Sequence, residues 1–136
     1  MAKTWVEKRD TDKEYQVKVN PKKFADIPSQ TKMLIPTPRI LNTLVRQIPL
    51  VSFLYFKQIR EKLAYKYDAE MTCPIVTGIC MRIICEAAFE EYQINKDDSQ
   101  ITSFWRAVEP DSKLALKLTC GLDFIIQRQF YEGITF

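Results

Sequence analysis

The fold is decided by residues 72–92, which read TCPIVTGICMRIICEAAFEEY. Pro74 follows Thr72 and Cys73, and this order favours a helix start, because proline is tolerated in the first turn of a helix. The apolar residues after it cover a wide arc of a helical wheel: Ile75, Val76, Ile79, Cys80, Ile83, Ile84, Ala87 and Ala88. We therefore predict a long helix, running to about residue 92, at the centre of the core.

Three further helices are predicted around this central one. Thr37 is placed to cap a helix over residues 38–48, with a proline at its first position. The spacing of apolar residues predicts a short helix over about residues 57–65. A last helix is expected over residues 122–131, and Gly133 is suited to end it.

Short apolar segments supply the β structure. Residues 101–108 resemble a strand, and after a proline-containing turn residues 114–118 can return as a hairpin partner or wing. Residues 51–56 suit a short buried strand or a turn. The predicted fold class is mainly α with a small β wing. Because two consecutive helices precede the hairpin, the outline is that of a winged helix-turn-helix.

The N-terminal residues differ in composition from the rest. Residues 1–30 are rich in charge of both signs, with apolar residues too sparse to define a helical face. We expect a charged arm that is partly extended or disordered, in which the alternation of Tyr15, Val17 and Val19 suits an edge strand. The folded domain is then expected over residues 31–136.

Composition bounds the function classes. Twenty basic and 17 acidic residues give a net charge of +3, which permits a nucleic-acid partner without requiring one. No histidine is present, so the most common proton shuttle and metal ligand is missing. We expect no enzyme activity, cofactor, metal or membrane segment, and a cytoplasmic location. Buried, reduced thiols are expected for the four cysteines: Cys73, Cys80, Cys85 and Cys120.

Several motifs resemble the DNA-binding domain of alkylguanine-DNA alkyltransferases, the methylated-DNA-protein cysteine methyltransferase family. Residues 44–59, LVRQIPLVSFLYFKQI, resemble the motif Ile-Pro-x-Gly-x-Val-Thr-Thr-Tyr-x-x-Ile in their Ile-Pro pair, later phenylalanine and last isoleucine. Residues 103–108, SFWRAV, stand where the family has Pro-Cys-His-Arg-Val-Val. Residues 111–114 resemble Asp-Gly-x-Leu, and Cys120-Gly121, Arg128 and Glu132-Gly133 resemble the family's Gly-Gly…Lys-Arg…Leu-Leu-x-x-Glu-Gly.

Departures from these motifs decide what the resemblance implies. Phe104 stands at the acceptor cysteine and Trp105 at the activating histidine, and a phenyl ring has no nucleophilic lone pair for alkyl transfer. In the alkyltransferase-like proteins, which also lack the cysteine, an arginine at the start of the recognition helix takes the space of an everted base. Ile75 aligns with that arginine. The resemblance implies a non-catalytic protein that binds duplex DNA and recognises alkylated DNA in repair.

Two groups of candidate residues follow from the resemblance. The lesion-pocket candidates are Phe56, Phe104 and Trp105. The DNA-binding candidates are Lys57, Arg60, Lys62, Ile75, Thr77, Gly78, Arg82, Arg106 and Lys113. Each has an alternative: the aromatic pair refills an emptied pocket, the glycine permits close helix packing, and the charges form a solvated face. The alternative function is a repurposed winged-helix domain that serves as a protein-interaction or structural module without binding DNA.

Overall fold

A computed structural model describes residues 3–136. Its helices are α1 (Trp5–Arg9), α2 (Pro38–Arg46), α3 (Phe56–Lys66), α4 (Pro74–Asn95), α5 (Lys113–Lys117) and α6 (Leu122–Glu132). Its strands are β1 (Gln16–Asn20), β2 (Thr31–Ile35) and β3 (Met71–Thr72). Within residues 3–136, no helix is both long enough and apolar enough to cross a bilayer. The fold class is mainly helical with a small three-stranded sheet.

Helix α4 lies at the centre of the core, as its apolar pattern predicts. Met81, Ile84 and Ala88 are fully buried on its inner face, in one cluster with residues of α2, α3 and α6. Thr77 is also buried, and its hydroxyl donates a hydrogen bond to the carbonyl of Cys73 at 2.6 Å. The helix therefore buries no unsatisfied hydroxyl at this point.

The other three predicted helices are confirmed. In α2, the Thr37 hydroxyl accepts a hydrogen bond from the Ile40 N–H at 3.4 Å, with Pro38 in the first turn. Helix α3 begins at Phe56, close to its predicted position. Helix α6 ends at Gly133, whose φ of 72° lies in the left-handed region that glycine adopts without strain.

The sheet has the order β1-β2-β3. Strand β1 pairs antiparallel with β2, with Val17 opposite Leu34, and confirms the edge strand expected around Tyr15, Val17 and Val19. Strand β3 pairs parallel with β2. Because α2 and α4 follow β2 and β3 almost directly along the chain, this parallel pair brings the starts of the two helices to one edge of the sheet.

The charged N-terminal region contributes to the fold. Of the predicted arm over residues 1–30, β1 is extended and α1 is helical, while Met1 and Ala2 lie outside the described residues. Helix α1 lies against α4 through Arg9, whose buried guanidinium donates to Glu91 at 2.7 Å. Part of the mixed charge of this region is thus used inside the molecule.

The predicted β hairpin is wrong. Residues 101–108 contain a 3-10 turn at Phe104–Arg106, and residues 114–118 fall mostly within α5. The hydroxyl of Ser112 accepts a hydrogen bond from the Ala115 N–H at 3.1 Å, which caps α5 as a helix. A short apolar run predicts burial but leaves its backbone conformation open. Residues 51–55 form no strand, Val51 lies in a turn, and the side chains of Val51 and Tyr55 are exposed, so the burial expected for this segment is not found at these two positions.

Candidate nucleic-acid interface

A groove of about 810 Å³ runs along the N-terminal half of α4, between α1 and α5. We call it the α4 groove. Four basic residues line it: Lys8 of α1, Arg82 of α4, and Lys113 and Lys117 of α5. Among the described residues, no aspartate or glutamate lines it. A chain of nearly balanced charge thus concentrates positive charge at one place.

The floor of the α4 groove is apolar. Ile75 and Ile79 lie one helical turn apart and are 55% and 56% exposed, and Leu114 of α5 lines the groove with them. Exposed apolar side chains grouped in this way mark an interaction site more often than a bare surface. An apolar floor flanked by cations suits a partner that offers both apolar surface and negative charge.

Helix α1 forms one wall of the groove and is fixed there by two glutamates of α4. The Glu90 carboxylate accepts hydrogen bonds from the backbone N–H groups of Trp5 and Val6, both at 3.2 Å. Carboxylates at a helix N-terminus satisfy donors that the helix itself cannot pair. Together with the ion pair between Arg9 and Glu91, these bonds hold α1 at both of its ends.

Two cations of the groove lie against the ring of Trp5. The Lys8 ammonium is 4.2 Å and the Arg82 guanidinium carbon 5.6 Å from the ring centroid. Arg82 Nε is 3.7 Å from Glu86 Oε2 and makes no hydrogen bond to any described residue. Glu86 itself accepts hydrogen bonds from the Thr119 N–H at 3.2 Å and from its hydroxyl at 3.0 Å. The guanidinium of Arg82 therefore keeps unused donor capacity at the groove.

A smaller cavity of about 270 Å³ adjoins the α4 groove. Gly78 and Leu114 line both, while Phe56, Met81 and Val108 line the cavity alone. A Cβ atom built on Gly78 would meet no described atom within 4 Å. Close helix packing is thus not the reason for this glycine. Its missing side chain keeps open the space between groove and cavity.

Phe104 and Trp105, two of the lesion-pocket candidates, lie in the core and line neither space. The Phe104 ring stacks on Phe124 with centroids 5.9 Å apart. The indole N–H of Trp105 donates to Glu132 Oε2 at 2.8 Å. Both rings are buried, as in the alternative interpretation of this pair, although Trp105 also lines a separate depression with Arg106 and Glu132. Phe56 is the candidate that lines the cavity beside the α4 groove.

Three DNA-binding candidates are engaged in internal hydrogen bonds. Arg60 donates to both carboxylate oxygens of Asp26, each at 2.7 Å, and Arg106 donates to Glu132 Oε1 at 2.7 Å. Thr77 is buried, as described above. These side chains stabilise the fold and have little capacity left for a ligand.

The remaining candidates divide into two groups. Ile75, Gly78, Arg82 and Lys113 meet in the α4 groove. Lys57 and Lys62, both on α3, line other surface depressions outside the groove. Of the predicted cations, Arg82 and Lys113 therefore lie together in the groove, whereas the two lysines of helix α3 do not join them.

Sequence reasoning missed Trp5 and Lys8 as groove residues. Their segment reads Trp-Val-Glu-Lys-Arg, too short to show a helical period. One signal was present: Thr4 and Glu7 have the spacing of a capping box, and the structure forms it. Their place in the groove depends on α4, more than 80 residues away in the chain, and no local pattern encodes that contact.

The cysteines are free thiols in poor positions for nucleophilic chemistry. Cys73, Cys80 and Cys85 are buried, and Cys120 is partly buried. Burial raises the pKa of Cys80 to about 12 and that of Cys120 to about 11, and it raises the pKa of Cys85 well above its usual value. Within residues 3–136, no three His, Cys, Asp or Glu side chains are grouped to hold a metal ion.

Comparison of the chain with protein-family models, with curated proteins and with solved structures finds no match. The resemblance of residues 33–133 to alkyltransferases therefore remains a prediction from the quoted motifs, and the function has to be argued from the geometry of the groove and its neighbouring cavity.

Proposed function

We propose that this chain is a non-catalytic, alkyltransferase-like protein that binds duplex DNA through the α4 groove. The observation that supports this most is the meeting of four basic residues over an apolar floor in a chain whose net charge is only +3. Lysine and arginine bind phosphates and release condensed counterions, which supplies most of the affinity of such proteins for DNA. Apolar side chains between these cations can contact bases and sugars.

In this proposal, α3 and α4 are the two helices of a helix-turn-helix that has no β wing within residues 3–136. Helix α5 stands where the wing was expected, and its Lys113 and Lys117 supply phosphate contacts opposite Arg82. The start of α4 faces the DNA. There Ile75 offers an exposed apolar side chain in place of the arginine of the alkyltransferase-like proteins, so the contact at this point is apolar and makes no hydrogen bond to a base.

We propose further that the cavity beside Gly78 receives the apolar group of an alkylated base. It lies next to the groove, and its walls are apolar side chains such as Phe56, Met81 and Val108. Its volume of about 270 Å³ is just below the roughly 300–1,000 Å³ of drug-sized ligand sites. A cavity of this size suits a group of a few heavy atoms.

The proposal includes no alkyl transfer. The attacking species in thiol chemistry is the thiolate, and the raised pKa values of Cys80 and Cys120 keep both thiols protonated at neutral pH. Phe104, at the position of the acceptor cysteine, is buried and has no nucleophilic atom. Four free cysteines also suit the reducing conditions of the cytoplasm, which we include as the proposed location.

The second candidate function, a protein-interaction module, is favoured by a different surface. Phe130 and Tyr131 of α6 are 79% and 81% exposed with their ring centroids 6.2 Å apart, and Leu116 of α5 is also exposed. Large exposed aromatic side chains are enriched in protein interfaces. This surface is separate from the α4 groove in its residues, so the two functions can be tested independently.

Fluorescence polarisation with a short DNA duplex tests the proposal. Four phosphate contacts predict that the logarithm of the binding constant falls with the logarithm of the salt concentration with a slope of about −3 to −4. A duplex with an alkylguanine should bind more tightly than the unmodified one. The double variant Lys113→Ala/Lys117→Ala should bind more weakly, whereas its matched control Lys57→Ala/Lys62→Ala should bind like the wild type.

The outcomes separate the two functions. Absence of binding to both duplexes at low salt would overturn DNA binding and favour the protein partner at Phe130 and Tyr131. Equal affinity for the two duplexes would overturn lesion recognition alone. Equal losses in the two double variants would show that DNA lies elsewhere than in the α4 groove.

A further inference from the structure

We infer that α1 is part of the DNA interface and that Trp5 positions two cations, Lys8 and Arg82, to bind backbone phosphates. The inference rests on the proposed function and deepens it. Helix α1 precedes the region that resembles alkyltransferases, so the resemblance itself assigns this helix no role.

The first argument is that the position of α1 is enforced. A helix of five residues is too short to be stable alone. Glu90 pairs with its first N–H groups, and Arg9 forms a buried ion pair with Glu91 at 2.7 Å. These contacts hold Trp5 and Lys8 on the wall of the α4 groove rather than in a mobile tail.

The second argument concerns charge. An aromatic ring attracts a cation to its face, and here one ring attracts two cations, at 4.2 Å and 5.6 Å. Held against this ring, the two cations add positive charge at the wall of the α4 groove, which attracts the negative charge of a phosphate. Trp5 is thus a positioning residue, and Lys8 and Arg82 are the groups that contact the phosphate.

The third argument is that neighbouring carboxylates occupy only part of the binding capacity of these cations. Within the described residues, Lys8 forms no ion pair. Glu7 accepts the Thr4 N–H at 3.0 Å in its own capping box. Arg82 Nε lies within ion-pair distance of Glu86, at 3.7 Å, but forms no hydrogen bond with it, and the Arg82 side chain is 43% exposed. Lys8 and the exposed part of the Arg82 guanidinium can therefore still bind phosphate oxygens.

The full chain and three variants test the inference by polarisation with the unmodified duplex over a series of salt concentrations. Lys8→Ala should weaken binding roughly five- to tenfold at 0.1 M salt and make the salt slope shallower by about one, as expected for one lost phosphate contact. Trp5→Ala should lower affinity by a similar factor, because it releases both cations. Trp5→Phe should retain most of the affinity, because a phenyl face still attracts cations.

Lys62→Ala is the matched control, since this lysine is exposed on α3 outside the groove. Circular dichroism and thermal unfolding check that each variant is folded. If Trp5→Ala loses helix α1, the affinities of Lys8→Ala and Trp5→Phe test the inference in its place. Wild-type affinity and salt slope in Lys8→Ala would overturn the inference while leaving DNA binding in place. No binding of the full chain to DNA would overturn both.

A vesicle of phosphatidylserine and phosphatidylcholine distinguishes the source of the phosphate. Binding of the full chain to the duplex but not to the vesicle is the expected result. If Lys8→Ala weakens binding to the vesicle and leaves binding to the duplex unchanged, the phosphate belongs to a lipid headgroup and the inference is overturned.

Discussion

Two arginines of this protein lie against aromatic rings, one inside the fold and one in the α4 groove. The guanidinium carbon of Arg128 is 3.3 Å from the Phe124 ring centroid, and its Nε is 3.3 Å from Asp98 Oδ2. Arg82 lies 5.6 Å from the centroid of Trp5. The Arg128 side chain is 14% exposed and that of Arg82 43% exposed. The same residue types stabilise the interior in one place and present positive charge to solvent in the other.

The aromatic rings near the two arginines also differ in their burial. Phe104 and Trp105 pack with Phe124 in the core, whereas Trp5 stands at the edge of a groove. The motif resemblance predicted that Phe104 and Trp105 line a lesion pocket, because they align with two catalytic residues of the alkyltransferases. Burial assigns both to the interior. The place of a residue in a motif resemblance therefore does not by itself predict whether its side chain is exposed.

The largest expected effect comes from breaking the interior cluster. Phe104→Ala should lower the free energy of unfolding by about 3–5 kcal/mol, because it removes a fully buried ring and leaves a cavity. Urea denaturation measures the change. Phe130→Ala removes an exposed phenyl ring from α6 and should change stability by less than about 0.5 kcal/mol. A stable Phe104→Ala protein with reduced DNA affinity would contradict the interior assignment.

A second large effect is expected at the ion pair between Arg106 and Glu132, next to this cluster. Arg106→Met should lower the free energy of unfolding by about 3 kcal/mol, because Glu132 is then left nearly buried with only Trp105 as a donor. Arg39→Met, which breaks the exposed pair with Asp12, is the control and should cost less than about 1 kcal/mol. Equal effects in the two variants would show that the Arg106 pair is not structural.

The main helices could be predicted because their signals are local. Thr37 and Pro38 mark the start of α2, Gly133 ends α6, and the apolar arc of α4 is encoded within one segment. Two of the candidate cations, Arg82 and Lys113, lie together in the α4 groove, but the groove itself was not predicted, because one of its walls is a helix where a strand was expected.

The parts that could not be predicted depend on contacts between distant segments. Helix α1 is set by hydrogen bonds from Trp5 and Val6 to Glu90, 84 and 85 residues away. Arg60 was expected on a DNA-facing surface, but its carboxylate partner, Asp26, lies in the N-terminal region. The hairpin failed for another reason: Ser112 favours a helix cap, and apolar residues alone do not distinguish a strand from a buried turn.

Changing each of the two arginines to glutamine tests whether one binds DNA and the other stabilises the fold. Arg82→Gln should weaken DNA binding roughly five- to tenfold and make the salt slope shallower by about one, because a phosphate contact is lost. Arg128→Gln should leave the affinity of the folded protein unchanged and lower its stability, since Asp98 and the ring of Phe124 lose their partner. Polarisation and urea denaturation on both variants measure these changes. The opposite pattern would exchange the assigned roles.

The smallest predicted change in stability is at Gly78, which lines both the α4 groove and the smaller cavity. Gly78→Ala should raise the free energy of unfolding by about 0.5–1 kcal/mol, because alanine favours a helix interior and its Cβ would meet no described atom within 4 Å. The same methyl group stands between the groove and the cavity, so it should reduce the preference for the alkylated duplex while leaving binding to the unmodified duplex unchanged. A destabilised variant would mean that helix packing requires the glycine. If the variant is more stable and still prefers the alkylated duplex, the cavity has no part in recognition. Gly78 would then be required neither for helix packing nor for binding.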